Sequence, residues 1–403
     1  MEYEQNPVKA RKSLLRFSLC FVLIKKPRSP MGRGVWAEVY VYQLIVSPLS
    51  RRDNTRKLFK MQSSEFLDLA FAMDCTGSMG SYIRNATQNI RKIVEDIISA
   101  EKADVRLALV EFRDHPPQDQ SFVTRVHDFT SSVSQMRKWL DGCSANGGGD
   151  TPEAIADALL QVYKLDWKLN ATKVCIFIAD APPHGLLCNG DGFPNGCPAG
   201  IEPMEVTAKI AEKGISLYVV GCEPSILKYR DFFMGLAHLT GGKYIPLENA
   251  NLLSKIIVGG VQEEISLQQL MDEVNLEVTE EFNATSGDIP EEEIVTKVQE
   301  RLQSKCAKTK RLQRNNAELP ESTDSAKQIS SCVNLTEVRQ IQEKLAPPPR
   351  FCKVNEMFLG GPASATADDV YDCVEEEVNR DQVERLVQKS VMMNNLNMRV
   401  KKK

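Results

Sequence analysis

Asp74, Thr76 and Ser78 stand at alternate positions in the segment Asp74-Cys75-Thr76-Gly77-Ser78-Met79. Alternate spacing in an extended turn points short oxygen-bearing side chains the same way, and Gly77 permits the tight backbone between them. Two further polar loops offer similar groups: Asn146-Gly147-Gly148-Gly149-Asp150-Thr151, and the one that begins at Asp180. Carboxylates and hydroxyls without a softer ligand suit Mg²⁺ or Mn²⁺ in octahedral oxygen coordination. The competing reading is a metal-free turn in which Asp, Thr and Ser cap the next helix. It accounts for one such loop but poorly for three.

Other reactive residue types are less organised. His184-x3-Cys188-x8-Cys197 supplies three ligands where structural zinc takes four. The Gly, Pro, Asn and Asp around them read as a plain surface excursion, with a Cys188–Cys197 disulfide as the alternative in a secreted protein. His115, followed by Pro116-Pro117, reads as a solvated loop histidine beside the candidate metal rim, and His127 and His238 as packing or surface residues. No nucleophile–base pairing is visible, so no catalytic residue is assigned.

The elements that must position these loops follow a regular alternation. Phe66 to Met73 is a mostly apolar run, as expected of a strand buried on both faces of a parallel sheet. Ile83, Ile90, Ile93, Val94, Ile97 and Ile98 then recur at helical spacing. Val105–Phe112 and Phe122–Phe129 read as strands and Val133–Leu140 as a helix. The glycine-rich turn leads into a helix from Pro152 to about Tyr163, with proline at a position that needs no N–H. Lys173–Asp180 is the next buried strand, again ending in a carboxylate. Glu205–Glu212 (helix), Ile215–Gly221 (strand), Tyr229–Leu239 (helix) and an edge strand beginning at Gly241 complete the series. The pattern predicts an α/β, doubly wound, Rossmann-like and mostly parallel sheet with helices on both faces. Ligand sites in such sheets lie beyond the carboxyl ends of the strands, where all three polar loops fall.

The constellation resembles the metal-ion-dependent adhesion site of von Willebrand factor A domains. The family's Asp-x-Ser/Thr-x-Ser motif maps to Asp74, Thr76 and Ser78, its loop threonine to Thr151 and its second aspartate to Asp180. Asp150 and Glu153 flank Thr151 and compete for that position. The resemblance spans Phe66–Leu247. It implies a Mg²⁺ (or Mn²⁺) ion held partly through water, with a coordination position open to a glutamate or aspartate of a partner protein; this is binding, not catalysis. The phrase Asp68-Leu69-Ala70-Phe71-Ala72-Met73-Asp74-Cys75-Thr76-Gly77-Ser78-Met79, with Gly147-Gly148-Gly149-Asp150 and Ala179-Asp180-Ala181-Pro182-Pro183-His184-Gly185, looks like the intracellular A domains of the alpha-type protein kinase group. That similarity implies a cytoplasmic protein. After about Leu270 the chain shows no kinase-like alternation of strands and no glycine-rich nucleotide loop, so kinase activity is not carried over. A regulatory or targeting module of an alpha-kinase-type system is the second reading, and a secreted adhesion protein the third.

The 403 residues have 42% hydrophobic and 26% charged content, ordinary for a globular chain. A formal net charge of −4 argues against a nucleic-acid binder held by bulk charge. The charge is uneven, because residues 1–60 carry 13 Lys/Arg against 4 Asp/Glu and the remainder carries 37 against 50. The apolar run Leu14–Ile24 is too short to span a bilayer, which takes about 20 residues. Arg16 interrupts it and no small-x-small cleavage site follows, which weakens a secretory reading. Met61 is an alternative start, which makes 1–60 a leader of doubtful order. Eleven scattered cysteines, several inside apolar runs, favour a reducing compartment. Sequons at Asn85, Asn170, Asn283 and Asn334 are weak support for secretion. The expected organisation is an A domain over 66–260 and a helical, partly disordered extension over 261–403. In that extension Cys306–Ser331 reads as linker, and Val370, Val374 and Val378 as an amphipathic helical patch.

Overall fold

Phe66–Asp74 (β1) has eight of its nine residues buried, which explains its near-continuous apolar sequence: both faces are covered. Even Asp68 is buried, and its carboxylate accepts two hydrogen bonds from Arg106 at 2.7 and 2.8 Å. The computed structural model describes residues 66–101, 103–285, 287, 289–345 and 370–396. The leader at 1–60 and the start at Met61 lie outside the described residues.

β1 is joined by Asp104–Phe112 (β2), Thr124–Thr130 (β3), Thr172–Ala179 (β4), Ile215–Cys222 (β5) and Lys243–Leu247 (β6) in one six-stranded sheet of order β3-β2-β1-β4-β5-β6. Every pairing is parallel except β2 with the edge strand β3. The expected doubly wound, mostly parallel sheet is therefore observed. The chain winds outward from β1 through β2 and β3, then restarts at β4 on the other side. This puts the topological switch point between β1 and β4, where Met73 lies opposite Ile178.

Two apolar layers sandwich the sheet. One face packs Leu67, Leu69, Phe71 and Met73 against helix Gly80–Glu101 (α1), helix Val133–Gly142 (α2) and helix Leu253–Gln268 (α6). In α1 the stripe Ile83, Ile90, Ile93, Val94 and Ile97 is buried, while Ile98 falls off it and is exposed. The other face packs Ala70, Ala72, Cys175, Phe177 and Val219 against helices Ile155–Lys164 (α3), Pro203–Glu212 (α4) and Arg230–Leu239 (α5). Small alanines in the centre of β1 let these helices approach closely. Each fully buried large apolar side chain contributes roughly 1.5–3 kcal/mol.

The C-terminal part is helical, with Met271–Ala284 (α7), Glu291–Ser304 (α8), Asp324–Ser330 (α9), Leu335–Leu345 (α10) and Arg380–Met393 (α11). It departs from expectation at three places, one of them α9 itself, a helix inside the segment read as linker. Within the segment read as linker, Lys308–Arg314 is a strand (β7) that pairs with Ala317–Glu318 (β8) and, antiparallel, with Tyr371–Glu377 (β9). The segment around Val374, read as a helical patch, is therefore a strand. Charge matching across a long gap is the physical reason. Arg311 bonds Glu318 and Glu376, and Lys310 stands opposite Glu375. Helix α11 then docks on the sheet through buried charges: Arg385 donates to Glu263 (3.0 Å), the Tyr218 hydroxyl (2.6 Å) and the Gly241 carbonyl (3.1 Å), and Lys389 donates to Glu264 (2.6 Å).

Candidate functional site at the carboxyl edge of the sheet

Asp74 is the last residue of β1 and Asp180 follows β4 directly, so the switch point brings the two carboxylates together. Asp74 is fully buried. Its Oδ1 accepts the Thr76 N–H at 2.8 Å and the Thr76 hydroxyl at 2.7 Å. Its Oδ2 has no hydrogen-bond partner. A buried carboxylate oxygen left unpaired is costly. Burial, then the charge of Asp180, push the Asp74 carboxyl up to about 7.

The chain leaves Asp74 through a short 3-10 turn, Gly77–Met79, which feeds α1. Thr76 is buried, whereas Ser78 is exposed on the turn. The glycine-rich loop packs directly against it: Asn146 N–H donates to the Cys75 carbonyl at 3.2 Å. Gly147 has φ +85° there, and a Cβ on it would lie 1.7 Å from Asp119 Oδ2, so only glycine fits. Arg113 ties the base of the arrangement, donating to the Cys75 carbonyl (3.1 Å) and the Ser144 carbonyl (2.6 Å). Glu153 N–H donates to the Pro182 carbonyl at 2.9 Å, joining the loop before α3 to the one after β4. Thr151 is exposed and Asp180 half-buried on this rim.

The two neighbours of Thr151 behave differently. Asp150 turns toward the excursion after β4, where its Oδ2 accepts the Gly192 N–H at 2.6 Å. Glu153 is 3% exposed and its Oε2 has no partner. Burial, then Asp74, push its carboxyl up to about 10, with further contributions from Asp114 and Asp180. Three carboxylates, Asp74, Glu153 and Asp180, thus repel one another in a largely dry rim with two unpaired oxygens. Protons or a cation relieve that repulsion. The donor set is all oxygen, which fits a hard divalent cation.

The histidine and cysteine expectations change. His115 is buried, not solvated. His184 does not join Cys188 and Cys197. Its Nε2 contacts Asp114 Oδ1 at 2.6 Å and its Nδ1 contacts Asp191 Oδ1 at 2.8 Å. These carboxylates hold the His184 pKa above the ordinary value although burial works against it. Cys188 and Cys197 are free thiols, like all nine described cysteines. His127 stacks on Trp139 with ring centroids 4.8 Å apart, and His238 is buried, in line with packing roles. The Asp114–His184–Asp191 chain left no local signal, because Asp114 lies 70 residues from His184 on another loop and Asp191 meets His184 only through the fold of their shared excursion.

A family model described as von Willebrand factor A domain matches residues 68–185. The chain is 30% identical over 172 residues to an alpha-protein kinase, vwkA, of Dictyostelium discoideum, covering 42% of this chain and 27% of that protein. It is 29% identical over 204 residues to a putative ariadne-like RING finger protein of Acanthamoeba polyphaga mimivirus, covering 47% and 19%. It is 33% identical over 123 residues to human von Willebrand factor A domain-containing protein 7, covering 30% and 13%. The chain thus spans under a third of the length of these relatives. With β1 to β4 and Asp74, Thr76, Ser78, Thr151 and Asp180 inside the matched segment, the chain contains a von Willebrand factor A domain.

Proposed function

We propose that this protein is a metal-dependent protein-binding module whose ion is held by Asp74, Thr76, Ser78, Thr151 and Asp180. A von Willebrand factor A domain is itself a protein-interaction module. The observation that carries the finer reading is the buried, unpaired Asp74 Oδ2 beside Asp180 at the switch point. Mg²⁺ or Mn²⁺, when bound, supplies an electrophilic position that a partner's Asp or Glu side chain can fill. Asp74 and Asp180 supply the negative charge, and Thr76, Ser78 and Thr151 supply neutral oxygens. The Thr76 N–H and hydroxyl fix one oxygen of Asp74 and leave the other free to bind. Glu153 adds a third, buried carboxylate close enough to feel the charges of both aspartates. The exposed side chains of Ser78 and Thr151 border the face presented to a partner.

The test is partner capture by the full chain with Mg²⁺ present and after Mg²⁺ is withdrawn by dialysis. Capture lost without Mg²⁺ and in Asp74→Ala, with the fold retained, supports the reading. Equal recovery in both buffers overturns it.

Similarity to an alpha-protein kinase favours a second reading of the same surface, as a regulatory or targeting module in an alpha-kinase-type system. We place the protein in the cytoplasm. The free state of all nine described cysteines supports this. So does the sequon at Asn85, whose amide is buried and accepts from the Ser254 hydroxyl at 3.2 Å. Among the described residues no helix is long and apolar enough to cross a membrane.

A further inference from the structure

A second cluster lies beside the Asp114–His184–Asp191 chain, with the His115 and His184 rings 6.1 Å apart. His115 Nε2, Asp157 Oδ2 and Cys197 Sγ converge from three unconnected places: the segment after β2, the first turn of α3, and the excursion after β4. The separations are 2.9 Å (nitrogen to oxygen), 3.2 Å (sulfur to oxygen) and 3.7 Å (sulfur to nitrogen). Hydrogen bonds form two sides of this triangle, with the His115 ring and the Cys197 thiol both facing Asp157 Oδ2 as donors, but they leave the third side, sulfur to the same ring nitrogen at 3.7 Å, without a donor of its own. One imidazole N–H cannot point at both the carboxylate and the thiol, and a catalytic relay would use the two different ring nitrogens. Here the same nitrogen faces both partners. Three heteroatoms each close to the other two are arranged as ligands sharing one centre.

The dimensions agree with that. A circle through the three atoms has a radius of about 1.9 Å, slightly below the roughly 2.0–2.3 Å bonds that zinc makes to nitrogen, oxygen and sulfur. An ion about 1 Å above their plane therefore reaches all three at ordinary bond lengths. The ligand types, one imidazole, one thiolate and one carboxylate, are those of a borderline-soft metal and not of Mg²⁺. His115 and Asp157 are buried and Cys197 is half-buried, so solvent reaches the cluster on the Cys197 side.

The backbone is built to deliver Cys197. Gly185 (φ +80°) and Gly196 (φ +113°) pack so closely that a Cβ on Gly185 would lie 2.7 Å from the Gly196 backbone. This pinch folds the excursion back on itself and sets the next residue, Cys197, against His115. The Phe193 ring meets the His115 ring edge-on at 5.8 Å and covers the site from the loop side.

We propose that His115, Asp157 and Cys197 bind a zinc ion, with water as fourth ligand. Three protein ligands and a water are the set of an open, exchangeable zinc site, not of a closed four-ligand structural one. The site draws on Cys197 but on neither His184 nor Cys188.

The experiment is Co²⁺ loading of the full chain followed by visible and near-ultraviolet spectroscopy, with zinc content of the purified protein measured by mass spectrometry. With excess Mg²⁺ occupying the oxygen-lined rim, we expect one equivalent of tightly held metal and a thiolate-to-cobalt charge-transfer band. Cys197→Ser abolishes the band, and Cys188→Ser leaves it. Asp157→Asn, which keeps the thiol, weakens cobalt binding at least tenfold and serves if the serine variant does not fold. The absence of the band in the native chain, its survival in Cys197→Ser, or unchanged affinity in Asp157→Asn overturns the proposal.

Discussion

Replacing Asp74 with Asn should stabilise the metal-free protein and abolish its response to Mg²⁺. In the folded chain burial and the neighbouring Asp180 raise the Asp74 carboxyl from 3.8 to about 7. Between these values the folded state holds a proton that the unfolded state has released. Metal-free stability therefore falls as pH rises through that window, and the full penalty is present above about pH 7. At about 1.36 kcal/mol per pKa unit the shift corresponds to a penalty of about 4 kcal/mol. Asn keeps an oxygen to accept from the Thr76 N–H and hydroxyl but carries no charge, so it escapes the penalty. Mg²⁺ acts in the opposite direction on the native residue, adding about 2.7 kcal/mol at a hundredfold excess over Kd. The assay is calorimetric melting in metal-depleted buffer at pH 5 and pH 8, with and without Mg²⁺. At pH 8 without metal the Asn variant melts higher, by on the order of 10 °C. The gap narrows to about 1.7 kcal/mol at pH 5, which lies inside the window between 3.8 and about 7, and Mg²⁺ raises only the native protein. A variant that melts below the native protein at pH 8 without metal, or equal Mg²⁺ shifts in both, refutes the reasoning.

Two further predictions concern the frame. His238 is buried near Lys327, Asp381 and Arg385, and burial lowers its pKa to about 4. The unfolded chain takes up a proton near pH 6.5 and the folded one does not. Stability in saturating Mg²⁺ is thus full above about pH 6.5 and falls by up to about 3 kcal/mol toward pH 4. Urea denaturation should show that slope flattened in His238→Gln, and an unchanged slope contradicts it. Arg385→Ala strips the cationic partner from the buried Glu263, leaving it only the Gln382 amide, and leaves the Tyr218 hydroxyl and Gly241 carbonyl short of a donor. It should cost about 3–5 kcal/mol by chemical denaturation, and a loss below about 1 kcal/mol contradicts the buried network.

The sheet was legible because burial on both faces writes itself into sequence as apolar runs, and Phe66–Asp74 and Thr172–Ala179 are such runs. Asp74, Thr76 and Ser78 were legible because their spacing is local. Glu153 stood out less: its burial depends on Pro182 and Asp74, which no local window connects. The same holds for Asp157 and Cys197, 40 residues apart. The strand Lys308–Arg314 escaped because its charged residues are neutralised by Glu318 and by acidic residues on β9, beyond position 370. A polar segment reads as linker until its partner is known.

The central claim is that the carboxyl edge between β1 and β4 holds a hard cation. A crystal of the full chain grown with Mn²⁺ and examined by anomalous scattering tests it most directly. A bound ion gives a peak within bonding distance of Asp74 and adjoining Thr76, Ser78, Thr151 and Asp180. At saturating Mn²⁺, no peak beside Asp74 would contradict that claim.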